Sequence, residues 1–224
     1  MIDRVRAARG AVVAGLATLA IAVWFGAQPA IDCGSGPVAS TTALGAFQMA
    51  KSQGALDVAI GCAARLDVLN SMNQVDLLAF IASWGAFLIL AACALTGGRL
   101  RRIALIFFGV AVAGDVLETA TQLWIGARWR VVTSPMLVLL AMGSAAKWAG
   151  LAFGLGATGL DTAREHGGVT RGLGVAVAVF GMLGLMVFAM PVAPPFIGIA
   201  WLVLLVACAV NARRGAGQRG SADA

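Results

Sequence analysis

The chain has 224 residues, of which 60% are hydrophobic and 12% are charged. An ordinary soluble domain carries about 25% charged residues, so this chain has too little polar surface to enclose its core in water. Disorder, collagen and coiled coil are excluded as well, because the chain is apolar without a Gly triplet or a heptad. We therefore expect an all-α membrane protein, with one domain over residues 1–210, whose solvent is the lipid bilayer.

Six segments are long and apolar enough to cross a bilayer core, which takes about 20 helical residues. In chain order they cover roughly residues 11–31, 75–95, 103–125, 135–160, 173–190 and 195–210. The run Pro191-Val192-Ala193-Pro194-Pro195 separates the last two, because proline interrupts a helix. The sequence therefore predicts a six-transmembrane-helix bundle with a short extracytoplasmic helical segment.

The positions of the basic residues predict the orientation. Most Lys and Arg residues lie at one set of span ends, whereas four lie at the opposite set: Lys51, Arg65, Arg128 and Arg130. Because cytoplasmic loops are enriched in basic residues, we expect a bacterial inner-membrane protein with both termini in the cytoplasm. No run interleaves basic and aromatic residues, which disfavours nucleic-acid binding. The Gly- and Arg-rich segment 211–224 is expected to be a disordered cytoplasmic tail.

Residues 32–74 form the sizeable polar region outside the predicted spans. Leu44 and Phe47 recur at helical spacing, which predicts short helices that either cap the bundle on the membrane surface or cover an outward-facing cavity. Cys33 and Cys62 both lie in this region, where oxidation can occur. Spacing alone does not decide between a disulfide and two free thiols, since sequence gives no geometry.

The third and fourth predicted spans contain charged residues, which are costly in a bilayer unless they find partners. Asp115, Glu118 and Gln122 are spaced i, i+3 and i+7, so they share one face of the third span. Ser144 and Lys147 share a face of the fourth. At 1.5 Å per residue, Asp115 and Lys147 lie about 18 and 17 Å from the same membrane side. We predict an Asp115–Lys147 ion pair, with Lys147–Glu118 as the alternative.

Two carboxylates therefore face one ammonium in this predicted site. Full ionisation would leave a net charge in hydrocarbon, so we expect one of them, Glu118, to be neutral at pH 7. Asp76 lies at the predicted start of the second span, and Asn73 precedes it. These two residues either complete the outer rim of the site or cap a helix N-terminus.

These motifs resemble those of an uncharacterised family of bacterial multi-span membrane proteins. The similarity rests on Asp76, on the run Asp115-Val116-Leu117-Glu118 and on the run Ala145-Ala146-Lys147-Trp148. It covers roughly residues 10–160, and this chain has Thr119 where the family pattern has Asn. The resemblance implies a helical bundle with a shared Asp/Glu/Lys centre, and it implies no particular reaction.

Three classes of function are consistent with these residues. The first is a small carrier or conducting protein whose midplane site takes protons or a small polar solute. The second is a non-catalytic accessory subunit whose buried pair fixes helix assembly, with a membrane-protein partner or in a homo-oligomer. The third is a lipid-active enzyme, which is disfavoured because the single His, His166, lies in a predicted loop. Without a His in a span we expect no catalytic residue, cofactor or metal.

Overall fold

The computed structural model describes residues 3–188 and 194–220. The α-helices over this part of the chain are α1 Arg4–Gly26, α2 Ser40–Gln48, α3 Gln53–Ile60, α4 Ala63–Val75, α5 Ile81–Leu95, α6 Gly98–Gly126, α7 Ser134–Glu165, α8 Gly168–Leu183 and α9 Pro194–Gly220. A π-helical turn, Asp76–Phe80, joins α4 to α5, and a 3-10 turn, Gly184–Phe188, follows α8. Two short strands, β1 Ile31–Asp32 and β2 Pro37–Val38, pair antiparallel.

Six helical stretches are long and apolar enough to cross a membrane, which confirms the predicted fold class. They are Arg4–Gly26, Ala63–Leu95, Gly98–Gly126, Ser134–Glu165, Gly168–Phe188 and Pro195–Arg214. A helix suits this environment because it satisfies its backbone hydrogen bonds within one segment. The short helices α2 and α3 lie between the first and second spans, as predicted.

Two predicted boundaries differ from those of the structure. The helix that contains the second span begins at Ala63 instead of near residue 75, because the buried residues Leu66, Leu69 and Met72 continue its helical stripe toward the N-terminus. The last helix extends to Gly220, so residues 211–220 of the predicted disordered tail are helical. This part of the chain contains Ala and Arg, which favour helix. Residues 221–224 lie outside the described residues, as do residues 189–193, which contain the predicted end of the fifth span and residues 191–193 of the proline connector.

The chain divides into two compact units, and the predicted single domain stays a prediction. Residues 18–82 and 112–147 form one of them, which we call the site unit. The other contains the described residues of 1–17, 83–111 and 148–224. In this second unit a Cβ at Gly150 would lie 2.6 Å from the Ala111 nitrogen, so α6 and α7 pack closely there. Arg4 and Glu165 form an ion pair of 3.1 Å within the same unit.

In the site unit, α2 and α3 pack on one end of α4, α6 and α7. The buried apolar residues of this contact include Ala43, Phe47, Leu56, Ile60, Leu66, Leu69, Ile125, Met136 and Leu140. The Gln53 side chain donates to the Trp129 carbonyl at 2.7 Å and accepts from the Val132 amide at 3.3 Å. These bonds tie α3 to the connection between α6 and α7, so the two short helices form a cap on this end of the unit.

A disulfide joins Cys33 to Cys62 in the same region. Beside it, the side chain of Arg65 is buried, and its guanidinium donates to the carbonyl of Ile31 at 2.9 Å and to that of Ala59 at 3.4 Å. The bridge and these hydrogen bonds fix the chain that follows α1 to the start of α4. We call this end of the site unit the disulfide end.

Two glycines bring α6 and α7 into backbone contact within the site unit. A Cβ at Gly143 would lie 2.6 Å from the backbone nitrogen of Glu118, and a Cβ at Gly114 would lie 2.8 Å from the carbonyl oxygen of Gly143. Side chains at these positions would hold the helices apart, as in other close transmembrane packing. The contact places the following turn of α7, which carries Lys147, against Asp115 and Glu118.

We expect Gly143→Ala to lower the apparent Tm of the protein in detergent. Overpacking of a close contact costs about 1–3 kcal/mol, and here the added methyl group meets backbone atoms. Gly109→Ala is the matched control, since nothing lies within 4 Å of a Cβ at that position of α6. The control should leave Tm unchanged or raise it, because alanine has the higher helix propensity. Equal Tm values for the two variants would contradict the close α6–α7 packing.

Candidate functional site

Lys147 of α7 lies between two carboxylates of α6. Its Nζ atom is 2.6 Å from Asp115 Oδ1 and 3.1 Å from Glu118 Oε1. The two carboxylate side chains are 1% and 0% exposed, and the lysine side chain is 12% exposed. The ammonium therefore contacts both carboxylates that the sequence offered as alternatives. Their i, i+3 spacing on α6 makes this double contact geometrically simple.

Asp76 supplies a third carboxylate to the same place. The hydroxyl of Thr119 donates to Asp76 Oδ2 at 2.6 Å, and both residues are buried. Thr119 follows Glu118 in the chain, and Asp76 is near enough to Asp115 and Lys147 for electrostatic interaction. Asp76 therefore joins the central site, whereas the sequence placed it at the outer rim or at a helix N-terminus.

The position of Asp76 follows from the earlier start of the second span. The helix begins at Ala63, so Asp76 lies well inside it, at the first residue of the π-helical turn. Such turns are rare and are frequently found at functional sites. A signal for this placement was present in the sequence, because Asn70, Asn73 and Asp76 recur at three-residue spacing and form one polar face of α4.

We call Asp76, Asp115, Glu118 and Lys147 the acidic cluster. It contains three carboxyl groups and one ammonium, so full ionisation would give it a net charge of about −2 at a largely buried position. Buried charges without partners are costly, which favours bound protons or an additional cation. The cluster can therefore gain and lose protons while Lys147 stays paired with a carboxylate.

The remaining predicted site residues differ in where they lie relative to the acidic cluster and in whether they have hydrogen-bond partners. Ser144 lies one turn before Lys147 on α7, buried and beside Glu118. Gln122 lies one turn beyond Glu118, toward the disulfide end. Its side chain is 0% exposed, and neither its amide oxygen nor its nitrogen has a hydrogen-bond partner among the described residues. Asn73 is 1% exposed, and its Nδ2 atom likewise has no partner there.

Metal binding and chemistry that depends on His or Cys have less support than proton exchange in the described ranges, 3–188 and 194–220. They contain no group of three or more His, Cys, Asp or Glu residues that could hold a metal ion. His166 lies between α7 and α8, where its Nδ1 atom is 3.2 Å from the carbonyl oxygen of Thr162. It belongs to the second unit, as does the buried thiol of Cys208, whereas Cys33 and Cys62 are joined at the disulfide end.

No family model, curated protein or solved structure matches this chain. The family resemblance of its motifs therefore stays a prediction. The acidic cluster and its surroundings offer three kinds of chemistry. Its carboxyl groups can exchange protons, its ammonium compensates negative charge, and the nearby amides can donate and accept hydrogen bonds. These groups can bind protons and small polar molecules inside an apolar surrounding.

We expect Lys147→Met to destabilise the protein strongly. Removing one partner of a buried ion pair costs about 3–5 kcal/mol, because the other charge is left uncompensated. The double variant Asp115→Asn/Lys147→Gln should recover much of this loss, since it removes both charges together. Chemical denaturation in detergent measures the difference. Lys51→Met is the control, because Lys51 is exposed. If Lys147→Met were as mild as the control, the buried ion pair would contribute nothing to stability.

We also expect protonated carboxyl groups in the cluster at neutral pH. Pairing of Asp115 with Lys147 is electrically neutral only when Glu118 and Asp76 both carry protons. The infrared spectrum of the wild type should contain a band from protonated carboxyl groups. Difference spectra, wild type minus variant, should show that this band weakens in Glu118→Gln and in Asp76→Asn. It should be unchanged in Asp67→Asn, because Asp67 is exposed on the same helix as Asp76. A wild-type spectrum without this band would mean that the cluster is fully ionised.

Proposed function

We propose that this polytopic membrane protein is a small carrier or conducting protein that passes protons, alone or together with a small polar solute, through its acidic cluster. The excess of carboxyl groups over ammonium is the observation that carries the proposal. Two carboxylates contact one lysine, and a third lies beside them, so the number of bound protons can change without separating Lys147 from every partner.

A proton-exchange step in this cluster needs little movement. When Glu118 is protonated, Lys147 can remain paired with Asp115, at 2.6 Å. When Glu118 releases its proton, its carboxylate accepts from the same ammonium, at 3.1 Å. The ammonium therefore compensates either carboxylate, and the cost of ionising Glu118 within the membrane is reduced. Asp76, whose Oδ2 atom accepts a hydrogen bond from the Thr119 hydroxyl, offers a second proton acceptor next to this pair.

We further propose that the chain resides in a bacterial inner membrane with both termini in the cytoplasm. The basic residues near the start of the first span and after the last span support this orientation. It places the disulfide end outside the cytoplasm, and the Cys33–Cys62 bridge supports that placement because disulfides persist in oxidising compartments.

An accessory role is the alternative, and the contact at Gly114 and Gly143 favours it. Where two helix backbones touch, a buried ion pair beside the contact can fix their register. The acidic cluster would then hold this chain in shape for a membrane-protein partner or for a second copy. This alternative predicts that neutral residues can replace the pair without loss of activity.

Proton flux in liposomes tests the proposal. Purified protein is reconstituted with an internal pH indicator, and a potassium diffusion potential is applied with valinomycin. Wild-type protein should acidify or alkalinise the lumen at least about ten-fold faster than Glu118→Gln, because the variant cannot exchange a proton at the centre of the path. Asp67→Asn should match the wild type.

Two outcomes would overturn the proposal for protons that pass alone. Wild-type flux no higher than that of protein-free liposomes would exclude proton passage without a solute. Equal flux in Glu118→Gln and the wild type would exclude the cluster as its route. If Asp115→Asn/Lys147→Gln behaved as the wild type in every assay, the pair would serve assembly, as the alternative predicts.

A further inference from the structure

Two contacts set the register of α4 against α6 in the site unit. Near the disulfide end, a Cβ at Gly126 would lie 2.5 Å from Asn70 Oδ1, so these residues touch. Farther along, Thr119 donates to Asp76. From the first contact to the second, the residue numbers increase along the second span, from Asn70 to Asp76, and decrease along α6, from Gly126 to Thr119. The two segments therefore run antiparallel and in contact between these points.

Asn73 lies midway between the two contacts on α4, one turn from each. The midpoint of the facing stretch of α6 is occupied by Gln122. Both side chains are almost completely buried, at 1% and 0% exposure. Four of the polar atoms along this stretch have no hydrogen-bond partner among the described residues: Asn70 Oδ1, Asn73 Nδ2, Gln122 Oε1 and Gln122 Nε2. Buried amides are normally satisfied, so these atoms point to a bound hydrogen-bonding molecule.

From this geometry we infer that Asn70, Asn73 and Gln122 form a polar passage for water between the disulfide end and the acidic cluster. We call it the amide passage. The inference rests on the proposed function and deepens it, because it assigns the end of the site unit from which water and protons reach the acidic cluster. Asn70 and Asn73 are one helical turn apart on α4, about 4.5 Å in rise, and Gln122 of α6 lies level with Asn73, so neighbouring amides can share a single water molecule.

The side chains of the amide passage are suited to binding a neutral molecule of the size of water. Its amides offer both donors and acceptors and carry no charge, so they can hydrogen-bond water in either orientation. Beyond Gln122 the hydroxyl of Thr119 and the carboxyl group of Asp76 continue the series into the cluster. A chain of hydrogen-bonded waters along these groups would carry a proton to a carboxylate of the cluster.

Silver-ion accessibility tests the passage, because Ag⁺ is close to water in size and reacts with thiols only where water reaches them. Single cysteines are introduced at Gln122 or Asn73 after Cys93 and Cys208 have been replaced by alanine, with the disulfide left intact. Asp67→Cys is the accessible control. Leu78→Cys is the control for a thiol that faces outward into lipid, because Leu78 is 79% exposed on the same span.

We expect Gln122→Cys to react with Ag⁺ within about ten-fold of the rate of Asp67→Cys and at least about a hundred-fold faster than Leu78→Cys. In sealed proteoliposomes, an impermeant maleimide that labels Asp67→Cys measures the fraction of molecules whose disulfide end faces the external solution. External Ag⁺ should block the thiol of Gln122→Cys in the same fraction of molecules. That equality would place the opening at the disulfide end. Mass spectrometry of the remaining free thiols gives both values, and Asn73→Cys replaces Gln122→Cys if the latter fails to fold.

The inference is overturned if both folded variants react as slowly as Leu78→Cys, or if they react from the membrane side opposite Asp67→Cys. The result is independent of proton flux. Open passage residues in a protein without flux would reject the proposed function and keep the inference. Flux that depends on Glu118, together with unreactive passage residues, would keep the proposed function and reject the inference.

Discussion

The site unit depends on one constraint: a lysine ammonium has to be held among carboxylates inside an apolar interior. Lys147 reaches Asp115 and Glu118 only because Gly114 and Gly143 let the backbones of α6 and α7 touch. Packing and electrostatics therefore support each other. The glycine contact makes the ion pairs short, and the ion pairs stabilise the charged side chains, which would otherwise oppose packing of these helices.

The same constraint explains the arrangement of the surrounding helices. A buried group of carboxylates needs neighbours that can hydrogen-bond it, and Thr119 supplies a hydroxyl to Asp76. It also needs a rigid frame. The disulfide, the buried side chain of Arg65 and the cap of α2 and α3 fix the start of α4, which carries Asn70 and Asn73 and leads into Asp76.

The sequence predicted the contacts of Lys147 better than it predicted the limits of the helices. Charged residues are scarce in apolar spans, so Asp115, Glu118 and Lys147 could be singled out by position, and helical spacing put them on facing sides. The approach of Asp76 could not be predicted with the second span starting near residue 75. Asn73 and Asp76 were consistent with the outer rim of the site or with a helix cap, because polar residues at a span end are ordinary. Only tertiary contacts with Gly126 and Thr119 distinguish a cap from a polar face directed at another helix.

The π-helical turn determines which residues of the second span are buried. Buried positions up to the first residue of the turn, such as Leu69, Met72 and Asp76, are three or four residues apart, and they resume at Ile81 and Trp84 with the same spacing. Across the turn the step is five residues. In an uninterrupted α-helix a five-residue step would rotate the face by about 140° from the buried side. One wide turn therefore keeps the buried residues on either side of it, Asp76 and Ile81, on the same face of the helix.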